Sequence, residues 1–272
     1  MLTATTTLTT ASVRRPIGIA KGLLLLSAFY IGIAAYYIGL TTVSHFVGIR
    51  VPQGDSLFIS LLVAWPPTLL LSLRASGSSL RDCIRPTAVA WPVIFGVVVT
   101  ILGMVPVLVS VIALIPVPAS IREAMEGVTV GNRTMVAVAT LVLAPLGEEI
   151  FFRGILLSNF LQRYSRSKAI WASAVLFALF HLNPWQAAAA LVLGLFFAWI
   201  AIETKALWPA ILAHMLANFV ALNILGKIFF RLGYSEAQIK AMRFYPLPIF
   251  IASVVIMAIG FWLLTRALRN RN

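Results

Sequence analysis

The chain has 272 residues, 61% of them hydrophobic, and a mean hydropathy of +0.98. A soluble domain of this size cannot hide so much apolar surface, whereas a polytopic membrane protein needs no such core because lipid replaces it. The formal net charge is +13, from 21 Lys and Arg against 8 Asp and Glu; with the basic residues mostly in short loops and tails, and no aromatic-basic pattern for single strands, this reads as topology and attraction to anionic headgroups, not as nucleic-acid binding.

In chain order, Met1 to Arg15 is Thr-rich and lacks a small-residue cleavage site behind a short apolar core. It reads as a short polar tail and not as a cleaved signal peptide. Eight apolar spans are predicted: 21–40, 56–73, 89–114, 134–157, 168–181, 185–202, 208–225 and 247–268. Most reach the roughly 20 residues that a bilayer demands of a helix. The fifth is short and ends at Asn183-Pro184, a stop signal. Between spans, Pro116 to Arg133 is the most polar loop, with Glu123 and Glu126. Gly226 to Pro246 interleaves Lys227, Arg231, Lys240 and Arg243 with Ile228, Phe229, Phe230, Ile239 and Met242. That stretch reads either as a segment lying flat at the interface or as a plain connection. No internal repeat or second domain is visible, so residues 1–272 are expected to form one integral membrane domain with a motif-bearing core at about 134–225. With both termini on one side, that side carries the larger share of Lys and Arg, Arg14, Arg15, Arg74, Arg81 and Arg85 among them. This predicts cytoplasmic termini in the cell (inner) membrane.

Three polar clusters fall inside these apolar spans. The fourth span carries Glu148, Glu149 and Arg153; the fifth ends on Phe177 and His181; the seventh holds His214 and Asn218. An ionisable group at membrane depth costs about 2.5–3.5 kcal/mol on insertion scales, so a functional site is the default reading. Glu149 and Arg153 are four apart and share a helix face, where carboxylate and guanidinium pair. Glu148 points about 100° away around the helix and lacks that partner, which leaves it as the carboxylate available for acid–base work. Glu149 is then the structural member. Phe177 and His181 also share a face, as do His214 and Asn218. An amide and an imidazole at that spacing offer N–H donors able to hold an oxyanion. The bland alternative is that both histidines only make interhelical hydrogen bonds.

Other polar residues are less informative. His45 follows the first span without polar company and reads as an interfacial residue. Asn183, Gln186 and Asn223 are candidates only for lining a cavity. Gly147, Gly154 and Gly194 suit close helix packing. Cys83 is the single cysteine, so no intrachain disulfide or cysteine metal cluster is available. His-Glu-x-x-His, Gly-x-Ser-x-Gly and Walker motifs are missing, which removes support for zincin, serine-hydrolase and ATPase readings.

The ordered set Glu148-Glu149 with Arg153, Phe177 with His181, and His214 with Asn218 resembles the motifs of the CPBP family of intramembrane proteases, also called the Abi or type II CAAX prenyl endopeptidase family. The resemblance covers about Leu141 to Asn223. It implies that Glu148 activates water with help from His181, that His214 and Asn218 stabilise the oxyanion, and that Glu149 and Arg153 support the site. A zinc held by Glu148, His181 and His214 is chemically reasonable, but the metal-free mechanism is favoured, because no close two-histidine pair exists.

The expectation is therefore an all-α polytopic transmembrane bundle of about eight spans that hydrolyses peptide bonds. Its partners would be membrane lipids and a peptide or lipidated protein, either a prenylated CAAX-type chain or a bacteriocin-like peptide, and not nucleic acid. Two rivals stand beside it. One is a membrane immunity or scaffold protein that keeps the polar cluster as a structural network. The other is an ion-coupled transporter, which would prefer repeats and broken helices.

Overall fold

The computed structural model describes residues 16–48, 51–118, 121, 123, 127, 130–235 and 244–270. The Thr-rich stretch 1–15, with Arg14 and Arg15, lies outside the described residues, as do Arg50, Arg122, Glu126, Ile239, Lys240, Met242 and Arg243 of the predicted loops. Among the described residues the chain is all helix. The elements are α1 (Ile19–Val47), α2 (Gln53–Ser76), the short α3 (Leu80–Ile84), α4 (Trp91–Ile112), α5 (Arg133–Phe160), α6 (Arg166–Leu179), α7 (Pro184–Thr204), α8 (Trp208–Arg231) and α9 (Leu247–Arg269). Seven are long and apolar enough to cross a membrane. The predicted fifth span, α6, has 14 residues, about 21 Å of helix, and falls short.

Local signals explain the ends. Gly48 and Gly77 close α1 and α2 at φ of 71° and 70°, a left-handed conformation that suits glycine. Ser79 and Asp82 form a reciprocal capping box that starts α3. Asn132, Ser165 and Asn183 cap α5, α6 and α7 through their side-chain oxygens. Two expectations change at helix ends. The seventh span continues as helix to Arg231, so Lys227, Ile228, Phe229 and Phe230 extend α8 and do not open an interfacial loop. His45 lies in the last turn of α1, exposed and ring-packed on Phe46.

Contacts between chain segments gather one end of the bundle. Ile17 N–H donates to Asn159 Oδ1 at 2.8 Å, Lys21 Nζ to Ala75 O at 3.2 Å, and Leu207 N–H to Ile84 O at 3.3 Å. Arg166 pairs with Glu203 at the same end. Away from that centre, α4 and α9 pack backbone to backbone. A Cβ on Gly103 would come within 2.3 Å of Met257 N, and one on Gly260 within 2.3 Å of Thr100 N. Only glycine allows that approach, the usual device for joining helices where lipid offers no hydrophobic drive.

Candidate active site

Helix α5 is not uniform. An α-helical stretch, Ala144–Glu149, sits between π-helical stretches Ala139–Leu143 and Ile150–Leu157. Such widened turns concentrate at functional sites. The first has a readable cause and consequence. Ala144 N–H bonds to Ala139 O, five residues back. That takes the donor that Thr140 O would use in an α-helix. The next residue able to serve Thr140 O is Pro145, which has no N–H. Thr140 O is thus left without a partner from its own helix, and Asn218 Nδ2 of α8 donates to it at 2.9 Å. One of the two N–H groups of Asn218, expected at the oxyanion, is committed to this bond.

Glu149 and Arg153 form the expected pair, Arg153 Nη1 to Glu149 Oε1 at 2.7 Å, with both side chains fully buried. The pair has further support that spacing did not reveal. His214 Nδ1 lies 2.9 Å from the same Glu149 oxygen. Arg153 Nη2 donates to Gly194 O of α7 at 3.1 Å, and its guanidinium stacks 4.2 Å from the Phe177 ring centre. A Cβ on Gly194 would sit 3.1 Å from both Arg153 Nη2 and Phe177, so the glycine makes room for this contact. Glu149 therefore ties α5 to α8, and Arg153 ties α5 to α6 and α7.

Glu148 is arranged differently. Its Oε2, like Glu149 Oε2, is buried without a hydrogen bond, but no Arg or His lies as close to it as to Glu149 Oε1. The nearest basic atom is His214 Nε2, at 3.8 Å. A carboxylate can only accept, so the Glu149 contact makes His214 Nδ1 the protonated nitrogen and leaves Nε2 turned toward Glu148. With Glu148, Glu149 and Arg153 charged and His214 neutral, the cluster carries one net negative charge. One proton, on Glu148 or on His214, brings it to zero.

His181 gets its orientation from the end of α6. Its backbone N–H bonds to Ala178 O, three residues back, so Phe177 O loses its helical donor and accepts from His181 Nδ1 at 2.9 Å. A carbonyl cannot donate, so Nε2 is the nitrogen left for chemistry. Phe177 meets both imidazoles edge-on, His181 at 5.1 Å and His214 at 5.6 Å between ring centres, and Phe197 stacks on His214 at 5.1 Å. The three sequence clusters thus converge around one phenylalanine. Behind Glu148, the Trp65 indole of α2 lies where a Cβ on Gly147 would meet it at 2.5 Å. Trp65 packs on Phe29, Phe151 and Phe180, and its Nε1 is buried without a partner.

As a zinc site this arrangement is incomplete. Among the described residues no three His, Cys, Asp or Glu side chains come together as a metal would require, so Glu148, His181 and His214 do not make a ligand set here.

The fold and these buried groups define a polytopic helical membrane protein with a cluster of ionisable side chains inside its spans. Residues 131–220 match the family model described as Type II CAAX prenyl endopeptidase Rce1-like. That segment is similar to the family, and the match is consistent with the CPBP intramembrane proteases that the motifs resemble. No curated protein and no solved structure gives a match.

Proposed function

We propose that the protein is an intramembrane endopeptidase in which Glu148 activates water. The observation that carries this reading is the difference between the two adjacent glutamates. Each keeps its Oε2 buried without a hydrogen bond, but Glu149 Oε1 is tied to Arg153 at 2.7 Å and His214 at 2.9 Å, while Glu148 has no basic atom nearer than His214 Nε2 at 3.8 Å. A carboxylate held in this way beside an imidazole can take a proton from water as the water oxygen attacks a peptide carbonyl, and return it to the leaving amine as the C–N bond breaks. His181 Nε2 helps orient the water. His214, when its Nε2 carries the cluster's one proton, and the remaining N–H of Asn218 serve the oxyanion. Glu149, Arg153 and Phe177 hold these groups in register.

The substrate is a peptide or lipidated protein that reaches the centre through the membrane or its cytoplasmic face, with a prenylated CAAX-type chain as the family's own example. The basic residues around the end where Lys21, Arg85, Arg166 and Lys205 gather favour that end as cytoplasmic.

The test is cleavage of a quenched fluorescent peptide library, prenylated and unprenylated, by purified protein in detergent. Wild type, Glu148→Ala and His181→Ala run side by side, with and without a chelator. Cleavage that both variants lose and the chelator spares is the expected result. Loss with chelator and rescue by zinc would replace the metal-free mechanism. Cleavage of nothing by folded wild type would favour the immunity or scaffold role.

A further inference from the structure

Tyr30 lies on α1, outside the segment that matches the family model, and belongs to none of the motifs. Its position follows from what the end of α6 requires. The last carbonyls of a helix have no intrahelical donors, and inside a membrane protein they must find others. Here Phe177 O accepts from the His181 ring, Ala178 O from His181 N–H, and Leu179 O from Leu182 N–H. Phe180 O accepts from the Tyr30 hydroxyl. Of these four bonds only the last comes from another helix. The residue that leaves the turn, Leu182, has φ of +52°, a left-handed conformation that a leucine keeps only when its surroundings hold it. The Tyr30 ring packs on Phe29 at 5.6 Å and on Phe180 at 5.7 Å, contacts that a phenylalanine would keep.

We propose that Tyr30 is a positioning residue for His181: through the Phe180 carbonyl it fixes the turn that holds the His181 ring on Phe177. The proposal rests on the hydrolytic reading of the site, and its test has one readout that needs no peptidase activity. Full-length wild type, Tyr30→Phe and, as a control on the same helix, Tyr37→Phe are treated with diethylpyrocarbonate in lipid nanodiscs. Modification of His181 and of His214 is followed by mass spectrometry, with kcat and KM measured on a peptide that the wild type cleaves. Releasing the turn should speed His181 modification about threefold or more in Tyr30→Phe, with the His214 rate unchanged. The same variant should lose about tenfold in kcat at constant KM. Tyr37→Phe should match wild type in both. A His181 rate in Tyr30→Phe equal to wild type would overturn the proposal, whatever the melting temperature or kcat. A wild type that cleaves no peptide would defeat the hydrolytic reading alone, and the ratio of the two histidine rates would still decide the role of Tyr30.

Discussion

The α4–α9 seam and the α5–α8 centre solve the same problem in opposite ways. Both must hold helices together where lipid tails are as apolar as the side chains. The seam removes side chains: Gly96, Gly103 and Gly260 let backbones touch, and a Cβ on any of them would meet the partner helix at under 3 Å. The centre adds polar groups instead and links them, Glu149 to Arg153 along α5 and, across helices, Glu149 to His214, Arg153 to Gly194 O and Asn218 to Thr140 O. Glycine contacts are enough for adhesion. What the costlier centre supplies in addition is a buried carboxyl group, Glu148, whose nearest basic atom is His214 Nε2 at 3.8 Å.

Substitutions can break this contrast, beginning with the largest effect. Arg153→Ala leaves Glu149 buried without its cation, and should cost about 3–5 kcal/mol, read as loss of folded protein in detergent melts. Gly103→Leu should separate α4 from α9 and cost about 1–3 kcal/mol or more, in the same melts, by pure overpacking with no charge involved. If Gly103→Leu were harmless, the seam would not be a seam. Asn218→Leu strands the Thr140 carbonyl and should cost about 1–3 kcal/mol, visible as faster amide exchange around Ala139–Leu143 by mass spectrometry. The smallest effect lies outside the spans, in α3. Hydrogen bonds from Ser79 hold the Asp82 carboxyl below its ordinary range. A lowered folded-state value means that Asp82 stabilises the fold above its unfolded pKa, and that this is lost as pH falls through the folded value. Ser79→Ala should remove the cap, about 0.5–2 kcal/mol, and make the acid-side loss of α3 begin at higher pH.

How far the sequence could be read follows from the same comparison. Interactions along one helix were legible: Glu149 with Arg153 and Phe177 with His181 follow from a spacing of four. The all-helical membrane class was legible too, but of eight predicted spans seven are long enough to cross, and the fifth, α6, is too short at 14 residues. Interactions between helices were not, because periodicity fixes which face a residue occupies but not the height at which two faces meet. So the bond from His214 to Glu149 was missed, and Asn218 was expected wholly at the oxyanion when part of it serves Thr140 O. A signal for the second was present in Pro145, whose missing N–H must orphan a carbonyl one turn earlier. Tyr30 and Trp65 had no signal at all, being ordinary aromatics in ordinary apolar spans. The seam glycines were equally silent, since a glycine in a span does not name its partner.

The central claim is a division of labour between neighbouring glutamates, and one paired measurement tests it. Glu148→Gln and Glu149→Gln are isosteric changes one residue apart. Cleavage rate and melting temperature are measured for both against wild type, on the same peptide. The account predicts that Glu148→Gln loses about a hundredfold or more in rate while melting as wild type does. It predicts that Glu149→Gln melts much lower, since Arg153 keeps its burial and loses its counter-charge. A Glu148→Gln variant that cleaves like wild type, or that unfolds while Glu149→Gln stays stable, would contradict it.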